Sequence, residues 1–138
     1  MGDATSLPDL MQTVRAFQAS RALLTALELD VLPACGTGAE AAEVAARISA
    51  DPRATGMLLN ALAALGVLEK EAGRFRCTPA ALALGRERAG LLHMAHLWDT
   101  WSHLTDCVRT GTSRRAGPPG GHFLTNSGGA RPERRRCR

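Results

Sequence analysis

The sequence predicts a mainly α-helical domain: a winged helix-turn-helix with a small β-hairpin wing and extra dimerisation helices at its N- and C-terminal ends. Ala and Leu outnumber β-branched residues, which favours helices. Two helical patterns separated by a short turn are followed by two short apolar runs, and a Thr-Pro pair then restarts a helix. A chain of 138 residues has room for one domain of ordinary size.

A long amphipathic pattern opens the predicted domain. Apolar residues three or four positions apart predict a helix over residues 9–29, with a closing turn at Pro33 and Gly36. This stripe consists of Leu10, Val14, Phe17, Leu23, Leu24 and Leu27. Arg21 is in line with it. Either its stem packs along the apolar surface with the guanidinium at the rim, or the cation enters an interface or pocket to bind a carboxylate or phenolate.

Two helices form the predicted helix-turn-helix. The stretch AEAAEVAARIS predicts a helix over residues 39–49, started either by a capping box of Thr37 and Glu40 or one turn later, with Glu43 in the first turn. The stretch DPRATGMLLNALAAL follows, with an Asp N-cap and Pro in the first helical position. Gly66 is placed to end this helix in a left-handed conformation.

The remaining elements are a hairpin and two helices. Residues 67–69 and 74–77 are predicted strands that flank a loop, KEAG, with glycine near its end. The Thr-Pro pair then caps a helix over residues 79–85. A last, long helix is predicted over residues 89–110, ending at Gly111.

The composition divides the chain into three parts. Residues 1–8 are predicted to be a flexible N-terminus and residues 9–111 the folded domain, while residues 112–138, rich in Gly, Pro and Arg, are predicted to be disordered. The net charge of +4 is unevenly placed, because residues 1–111 carry 10 Lys and Arg against 12 Asp and Glu. The basic character therefore belongs to the C-terminal tail.

This charge distribution disfavours DNA binding, although the scaffold is common among DNA readers. The second helix of the helix-turn-helix offers Arg53 and mostly small residues, and the charges of the wing sum to zero. We therefore predict no nucleic-acid partner, with a small winged-helix transcription regulator as the alternative. The terminal stretch RPERRRCR is predicted to be a solvated basic end, with nucleic-acid contact as its alternative.

The cysteines and the apolar runs bear on the cellular compartment. The four cysteines are far apart and form no CxxC pair, which fits free thiols in a reducing cytosol. The N-terminus lacks the apolar region of a secretion signal, and no apolar run approaches the roughly 20 residues of a membrane span. A cytoplasmic protein without membrane contact is expected.

The last predicted helix carries an apolar face and a histidine flank. Met94, Leu97, Trp101, Leu104 and Val108 share the face, with Trp98 beside it. His93 and His96 are one turn apart, but His103 is about 10 Å farther along the axis, too far for a shared metal ion, so no metal site is predicted. Apolar helices at both ends of so small a module predict a homodimer. The predicted interface comprises Leu10, Val14, Phe17, Leu24, Leu27, Leu97, Trp101 and Leu104.

From about residue 15 to residue 111 the chain resembles the N-terminal dimerisation domain of class I S-adenosylmethionine-dependent O-methyltransferases. The matching stretches are QASRALLTALELDVL, AAEVAARISADPRATGMLLNALAALGVLEKEAGRFRCTPAALAL and HLWDTWSHLTDCVRTG. The resemblance implies a winged helix that dimerises instead of binding DNA and that lends side chains to a pocket for an aromatic or polyketide hydroxyl. By resemblance, the substrate-lining residues are Phe17, Arg21, His93, Met94, Trp98 and Trp101.

The chain departs from the family pattern in ways that limit this expectation. Family members continue into a domain that binds S-adenosylmethionine through a glycine-rich loop and supplies a His base. No such loop follows a predicted strand here, and His122 lies in the tail, so no cofactor-binding or catalytic residue is predicted. Asp30 stands where the family usually has glycine, a position where Asp tolerates a left-handed turn.

The resemblance ends near Gly111, where the Gly/Pro/Arg-rich tail begins. We therefore expect a truncated or frameshifted methyltransferase that is inactive alone. Its alternative is a stand-alone adaptor that forms a heterodimer with a full-length methyltransferase. Either form would meet an aromatic substrate only as part of a complete enzyme.

Overall fold

The computed structural model describes residues 5–112, which form seven helices and a three-stranded antiparallel sheet of order β1-β3-β2. The helices are α1 Leu7–Glu28, α2 Val31–Cys35, α3 Ala41–Arg47, α4 Pro52–Ala64, α5 Pro79–Arg86, α6 Arg88–Ser102 and α7 Leu104–Thr110. The strands are β1 Ala39–Glu40, β2 Leu68–Glu71 and β3 Arg74–Cys77. The predicted mainly α-helical winged-helix fold with a hairpin wing is confirmed.

The N-terminus of α1 begins earlier than predicted. Ser6 is the N-cap, and its hydroxyl and backbone N–H both bond to the Asp9 carboxylate, an arrangement that lowers the pKa of Asp9. Leu7 and Pro8, assigned to a flexible N-terminus from sequence, are therefore helical. The predicted disordered tail lies outside the described residues from position 113 onward, as do His122 and Cys137.

The helix-turn-helix follows the predicted capping chemistry. Asp51 Oδ1 accepts the Ala54 backbone N–H at 2.7 Å, and Pro52 occupies the first position of α4. Gly66, at φ 72°, takes the left-handed conformation just after α4. These boundaries depend on local contacts, and the sequence predicted them correctly.

The predicted helix over residues 39–49 divides into β1 and α3. The Glu40 backbone N–H donates to Glu43 Oε2 at 2.7 Å, which makes a capping box of Glu40 and Glu43. The later of the two predicted starts is therefore right, and the Thr37–Glu40 box is wrong. Ala39 pairs with Phe75, so β1 adds an edge strand to the wing. A strand of two residues is too short to leave a periodic signal.

The wing is a tight hairpin. Lys70 and Glu71, predicted to be loop residues, belong to β2, and Glu71 pairs with Arg74. The turn is therefore only Ala72 and Gly73, both at positive φ (48° and 78°), as in a type I′ turn.

The core lies between α2, α3, α4 and the sheet, with the C-terminal half of α1 packed on it. Its largest fully buried side chains are Leu59, Leu62, Val31, Val44 and Cys35. Pro33, predicted to close the preceding segment, is instead the third residue of α2. Its missing N–H costs nothing there, because the first turn of a helix has no intrahelical acceptor for that group.

The long C-terminal helix predicted from sequence is broken at His103. The Ser102 hydroxyl donates to the Trp98 carbonyl oxygen at 2.8 Å, and the His103 N–H donates to the Thr100 carbonyl oxygen at 3.2 Å. Serine back-bonding of this kind bends helices, and the shorter-range bond tightens the last turn of α6. Leu104 and Val108 therefore belong to a separate short helix, α7, which ends at Gly111 as predicted.

A left-handed residue joins α1 to α2 and holds α6. Asp30 has φ 56° and ψ 36°, as the family resemblance led us to expect. Arg88 Nε lies 2.8 Å from Asp30 Oδ1 and donates at 2.9 Å to the Leu27 carbonyl oxygen at the C-terminal end of α1. This joint connects the start of α6 to the end of α1.

Substitution of Asp30 separates the backbone effect from the side-chain effect. Asp30→Gly and Asp30→Ala both remove the carboxylate, but only Ala retains the left-handed penalty. We expect Asp30→Ala to unfold with a free energy about 1 kcal/mol lower than Asp30→Gly in urea denaturation. Asp30→Asn is the control for charge alone. Equal stability of the Ala and Gly variants would contradict a left-handed Asp30.

Of the three described cysteines, two pack in or against the core and the third lies on α7. Cys35 is fully buried, and burial raises the pKa of its thiol to about 11. Cys77 is half-buried, burial raises the pKa of its thiol, and that thiol donates to the Leu32 carbonyl oxygen at 3.3 Å. Cys107 is half-buried on α7. Within the described residues, the thiols are free.

Alkylation should therefore be selective in the native chain. With a pKa near 11, about one Cys35 thiol in a thousand is ionised at pH 8, and the core blocks access to it. We expect iodoacetamide at pH 8 to label Cys107 before Cys35 and Cys77, as read by peptide mass spectrometry. Labelling in urea is the control, since all four thiols should then react at comparable rates. Equal native rates would contradict the core placement.

Candidate functional site

The two halves of α1 present different faces. Val14 precedes Leu27 by 13 residues, so at 100° per residue the two side chains point about 140° apart. Leu27 is 3% exposed and belongs to the core, whereas Val14 is 67% exposed. We call residues 7–19 the arm, because their apolar side chains do not pack into the protomer core.

Two predicted interface residues require correction. Leu24 and Leu27 are buried inside the protomer, because the C-terminal half of α1 turns these positions toward its own core. They are therefore not available to a partner. The other predicted interface positions keep at least part of their surface: Leu10, Val14, Phe17, Trp101 and Leu104 are exposed, and Leu97 is half-buried.

The arm, α6 and α7 together carry an uncovered apolar face. Neither α6 nor α7 contains a buried residue. Of the 13 large apolar side chains exposed among residues 5–112, nine belong to α1, α6 or α7. We call these nine the apolar face: Leu7, Leu10, Met11, Val14, Phe17, Met94, Trp101, Leu104 and Val108. A stable monomer rarely leaves so many neighbouring elements apolar on the outside.

A groove of about 680 Å³ lies between α1 and α6 and ends against α5. Its walls are Phe17, Ser20, Leu23, Leu24, Leu27, Leu84, Leu91, Met94, Leu97, Trp98, Trp101 and Ser102. Among the described residues, no ionisable side chain lines it. Three aromatic rings in an otherwise aliphatic wall give a surface suited to a flat apolar group.

Four of the six predicted substrate-lining residues meet in this groove, namely Phe17, Met94, Trp98 and Trp101. The other two do not line it. His93 is exposed and lies one position before Met94, about 100° around α6 from the wall. Arg21 lies close by but outside the lining.

Arg21 is occupied within its own protomer. Its Nη2 donates to Glu28 Oε2 at 2.7 Å, and its Cζ lies 5.6 Å from the centre of the Trp98 ring. The guanidinium is at the rim, as expected of a snorkelling stem, and its carboxylate partner comes from the same helix, seven residues on. Sequence alone did not identify Glu28, because a pair two helical turns apart is not a usual signal.

Several lining residues were not predicted as such. The walls are completed by eight further residues, of which Leu84 comes from α5: Ser20, Leu23, Leu24, Leu27, Leu84, Leu91, Leu97 and Ser102. Leu84 and Leu91 follow the general apolar pattern of their helices, which gives no indication of which neighbour they face. Only the packing of α6 against α1 and of α5 against α6 assigns them to the groove.

The three histidines of the described residues lie along α6 and at the break that follows it. Within residues 5–112, no group of three or more His, Cys, Asp or Glu side chains is arranged to hold a metal ion. His103 Nε2 lies 3.7 Å from Asp99 Oδ1 on the preceding turn. This contact joins the end of α6 to the break before α7.

The wing cations are engaged by the protein itself. Arg74 contacts Glu43 at 3.3 Å and Glu40 at 3.7 Å, and Arg76 contacts Glu69 at 2.6 Å. Lys70 donates to Asn60 Oδ1 at 2.9 Å, with its ammonium 5.1 Å from the centre of the Phe75 ring. Phosphate contacts would have to compete with these partners, so the wing presents little free positive charge.

The described residues do not fit an S-adenosylmethionine site. Such a site uses a glycine-rich loop between a strand and a helix. Here β1 runs directly into α3, β2 enters a two-residue turn, and β3 is followed by Thr78 and Pro79 of the α5 cap. We therefore assign no step of methyl transfer to residues 5–112.

The fold is a winged helix that carries an exposed apolar face and an adjoining groove. The model of the O-methyltransferase dimerisation domain matches residues 11–86, more than half of the chain. The chain belongs to this family.

Two relatives come from Streptomyces species. The chain is 37% identical over 124 residues to the tetracenomycin polyketide synthesis 8-O-methyl transferase of Streptomyces glaucescens, covering 83% of this chain and 36% of that protein. It is 39% identical over 110 residues to the O-demethylpuromycin-O-methyltransferase of Streptomyces alboniger, covering 74% of this chain and 29% of that protein. The chain thus spans about a third of the length of the curated relatives it matches.

Solved structures agree with this assignment. An O-methyltransferase family protein from Burkholderia thailandensis superposes with a TM-score of 0.66 at 30% identity, over 79% of this chain and 35% of its own. Human N-acetylserotonin methyltransferase, solved in complex with SAM, superposes with a TM-score of 0.65 at 27% identity, over 83% of this chain and 38% of its own. In the described part of our chain, no helix is both long and apolar enough to span a membrane.

The paired wing cations predict weak contact with DNA. We expect residues 5–112 to give no salt-sensitive shift of a 20-base-pair duplex in low-salt gel electrophoresis. The full chain is the comparison, because any retention by its Arg-rich tail should disappear when residues 113–138 are removed. A shift that residues 5–112 produce and that added salt abolishes would reverse this assignment.

Proposed function

We propose that this domain forms a homodimer through its apolar face and supplies one wall of the acceptor pocket of an S-adenosylmethionine-dependent O-methyltransferase. The acceptor would be an aromatic or polyketide hydroxyl. Methyl transfer itself would require a separate S-adenosylmethionine-binding domain. Alone, residues 5–112 would associate and bind the acceptor without modifying it.

The observation that carries the proposal is the absence of any buried residue from α6 and α7. Isolated helices of 15 and 7 residues are marginal in water, so most of their stability must come from packing. Within the protomer, α6 packs on α1 and α5, and Leu91 and Leu92 near its start are partly buried against the core, while the rest of the helix surface is left uncovered. A second copy, carrying the same exposed arm and helices, would cover the rest by a two-fold arrangement.

The groove supports the second half of the proposal. Its volume of about 680 Å³ is within the range of small-molecule sites. Met94 and Trp101 belong to both the groove wall and the apolar face. A partner packed on that face would therefore close the outer edge of the groove, so that association and acceptor binding would be coupled.

The proposed class of methyl acceptor is also supported by the names of two relatives. One relative is named for methylation in tetracenomycin polyketide synthesis and another for O-demethylpuromycin. Both names describe methyl transfer to an oxygen, and the first also names polyketide synthesis. For this chain we propose only that class of acceptor.

A charge on the arm should disrupt the dimer without unfolding the protomer. Val14 is 67% exposed, so Val14→Asp removes no core contact. In the dimer it would bury a carboxylate at two symmetry-related positions. We expect the dimer Kd to rise by at least about 100-fold, as measured by sedimentation equilibrium of the full chain.

Met57→Asp is the matched control. Met57 is similarly exposed, at 62%, but lies on α4, away from the apolar face. It should leave the Kd unchanged. A native chain that is monomeric at 100 μM, a Val14→Asp variant that remains dimeric, or equal effects of the two substitutions would contradict the proposed interface.

A further inference from the structure

We propose that Arg21, held by Glu28, is a positioning residue that fixes Trp98 as a wall of the groove. The inference rests on the proposed acceptor-binding function. It adds a role for two charged side chains that do not touch the groove interior. Neither residue lines the cavity, yet both determine how one of its aromatic walls is held.

The geometry places the three side chains in sequence. Glu28 Oε2 accepts from Arg21 Nη2 at 2.7 Å, and the Arg21 guanidinium carbon lies 5.6 Å from the centre of the Trp98 ring. Trp98 in turn lines the groove. Arg21 itself is absent from the lining, so the guanidinium stands over the Trp98 ring without forming a wall of the cavity.

A tryptophan on a half-covered helix surface needs such a contact to keep one orientation. The backbone of α6 is anchored nearby, since the Trp98 carbonyl oxygen accepts from the Ser102 hydroxyl at 2.8 Å. The indole itself extends from α6 toward α1, where the cation on its face restricts rotation. Arg21 alone would have several rotamers available, and the pair with Glu28 selects one of them.

The arrangement also explains why a cation can stand beside an apolar groove. The Arg21 and Glu28 side chains are 40% and 36% exposed, so water still solvates both. The carboxylate balances the guanidinium charge locally, and the groove keeps an uncharged lining. The wall is thus stabilised without attracting an anion into the cavity, which favours an uncharged aromatic occupant.

The chain contains only two tryptophans, which makes a direct test available. In a Trp101→Phe background, Trp98 is the sole tryptophan, and acrylamide quenching reports its exposure. We expect Arg21→Met, which keeps a long apolar stem but no charge, to raise the quenching constant about twofold. Arg21→Lys should restore part of the protection, and Glu28→Gln should give an intermediate increase.

Ligand binding provides the second readout. The uncharged probe N-phenyl-1-naphthylamine should bind the native chain and lose about three- to tenfold in affinity in Arg21→Met. The anionic probe 1-anilinonaphthalene-8-sulfonate should bind more weakly than the neutral probe to the native chain. Glu28→Gln should reduce the difference in affinity between the neutral and the anionic probe, because the Arg21 charge is then no longer balanced.

Arg53→Met is the control, since Arg53 is an exposed cation on α4, a helix that contributes no residue to the groove or to the apolar face. Circular dichroism confirms that each variant is folded, and Glu28→Gln tests the proposal independently if Arg21→Met is not. Unchanged Trp98 quenching in both Arg21→Met and Glu28→Gln, or an equal change in Arg53→Met, would overturn the positioning role. Failure of both probes to bind the native chain would overturn the acceptor-pocket proposal instead, while the quenching comparison would still decide the role of Arg21.

Discussion

The two halves of α1 face in different directions, one into the protomer core and one away from it, and the rest of the structure depends on this difference. Its C-terminal half buries Leu24 and Leu27 in the protomer, while the face that carries Val14 turns away from the core. One continuous apolar stripe along the 22 residues of α1 could not both pack into the core and face away from it. The apolar side chains of the arm therefore point away from the core. α6, which packs on α1, has no buried residue. The apolar face and the groove both result from this geometry.

The same scaffold would serve a DNA reader if its charges were free. In this chain the wing arginines contact Glu40, Glu43 and Glu69, and Lys70 is bonded to Asn60. Exposed ion pairs of this kind contribute little to stability, about 0–1 kcal/mol each. These ion pairs affect recognition instead, because they neutralise the positive charge of a surface that would otherwise attract phosphate. For the proposed dimer, burial of apolar area then remains the main source of association free energy.

Local signals in the sequence predicted much of the fold, and non-local packing explains the rest. Asp51, Pro52 and Gly66 act through contacts within a few residues, so the boundaries of α4 could be read directly. β1 forms only because Ala39 pairs with Phe75, which is 36 positions away in the sequence. The groove shows the same limit: four lining residues followed from the family resemblance, but excluding Arg21 and His93 required the relative rotation of α1 and α6.

The groove also depends on a joint at its closed end. Asp30 leaves α1 in a left-handed conformation, and Arg88 binds both its carboxylate and the Leu27 carbonyl oxygen. The first turn of α6 is thereby tied to the last turn of α1, while the Arg21–Trp98 contact lies farther along the same pair of helices. Two attachments along one helix pair set both their separation and their rotation. Since Met94 and Trp101 belong to the groove and the apolar face, a partner seated on that face would meet a wall whose position is already determined within the protomer.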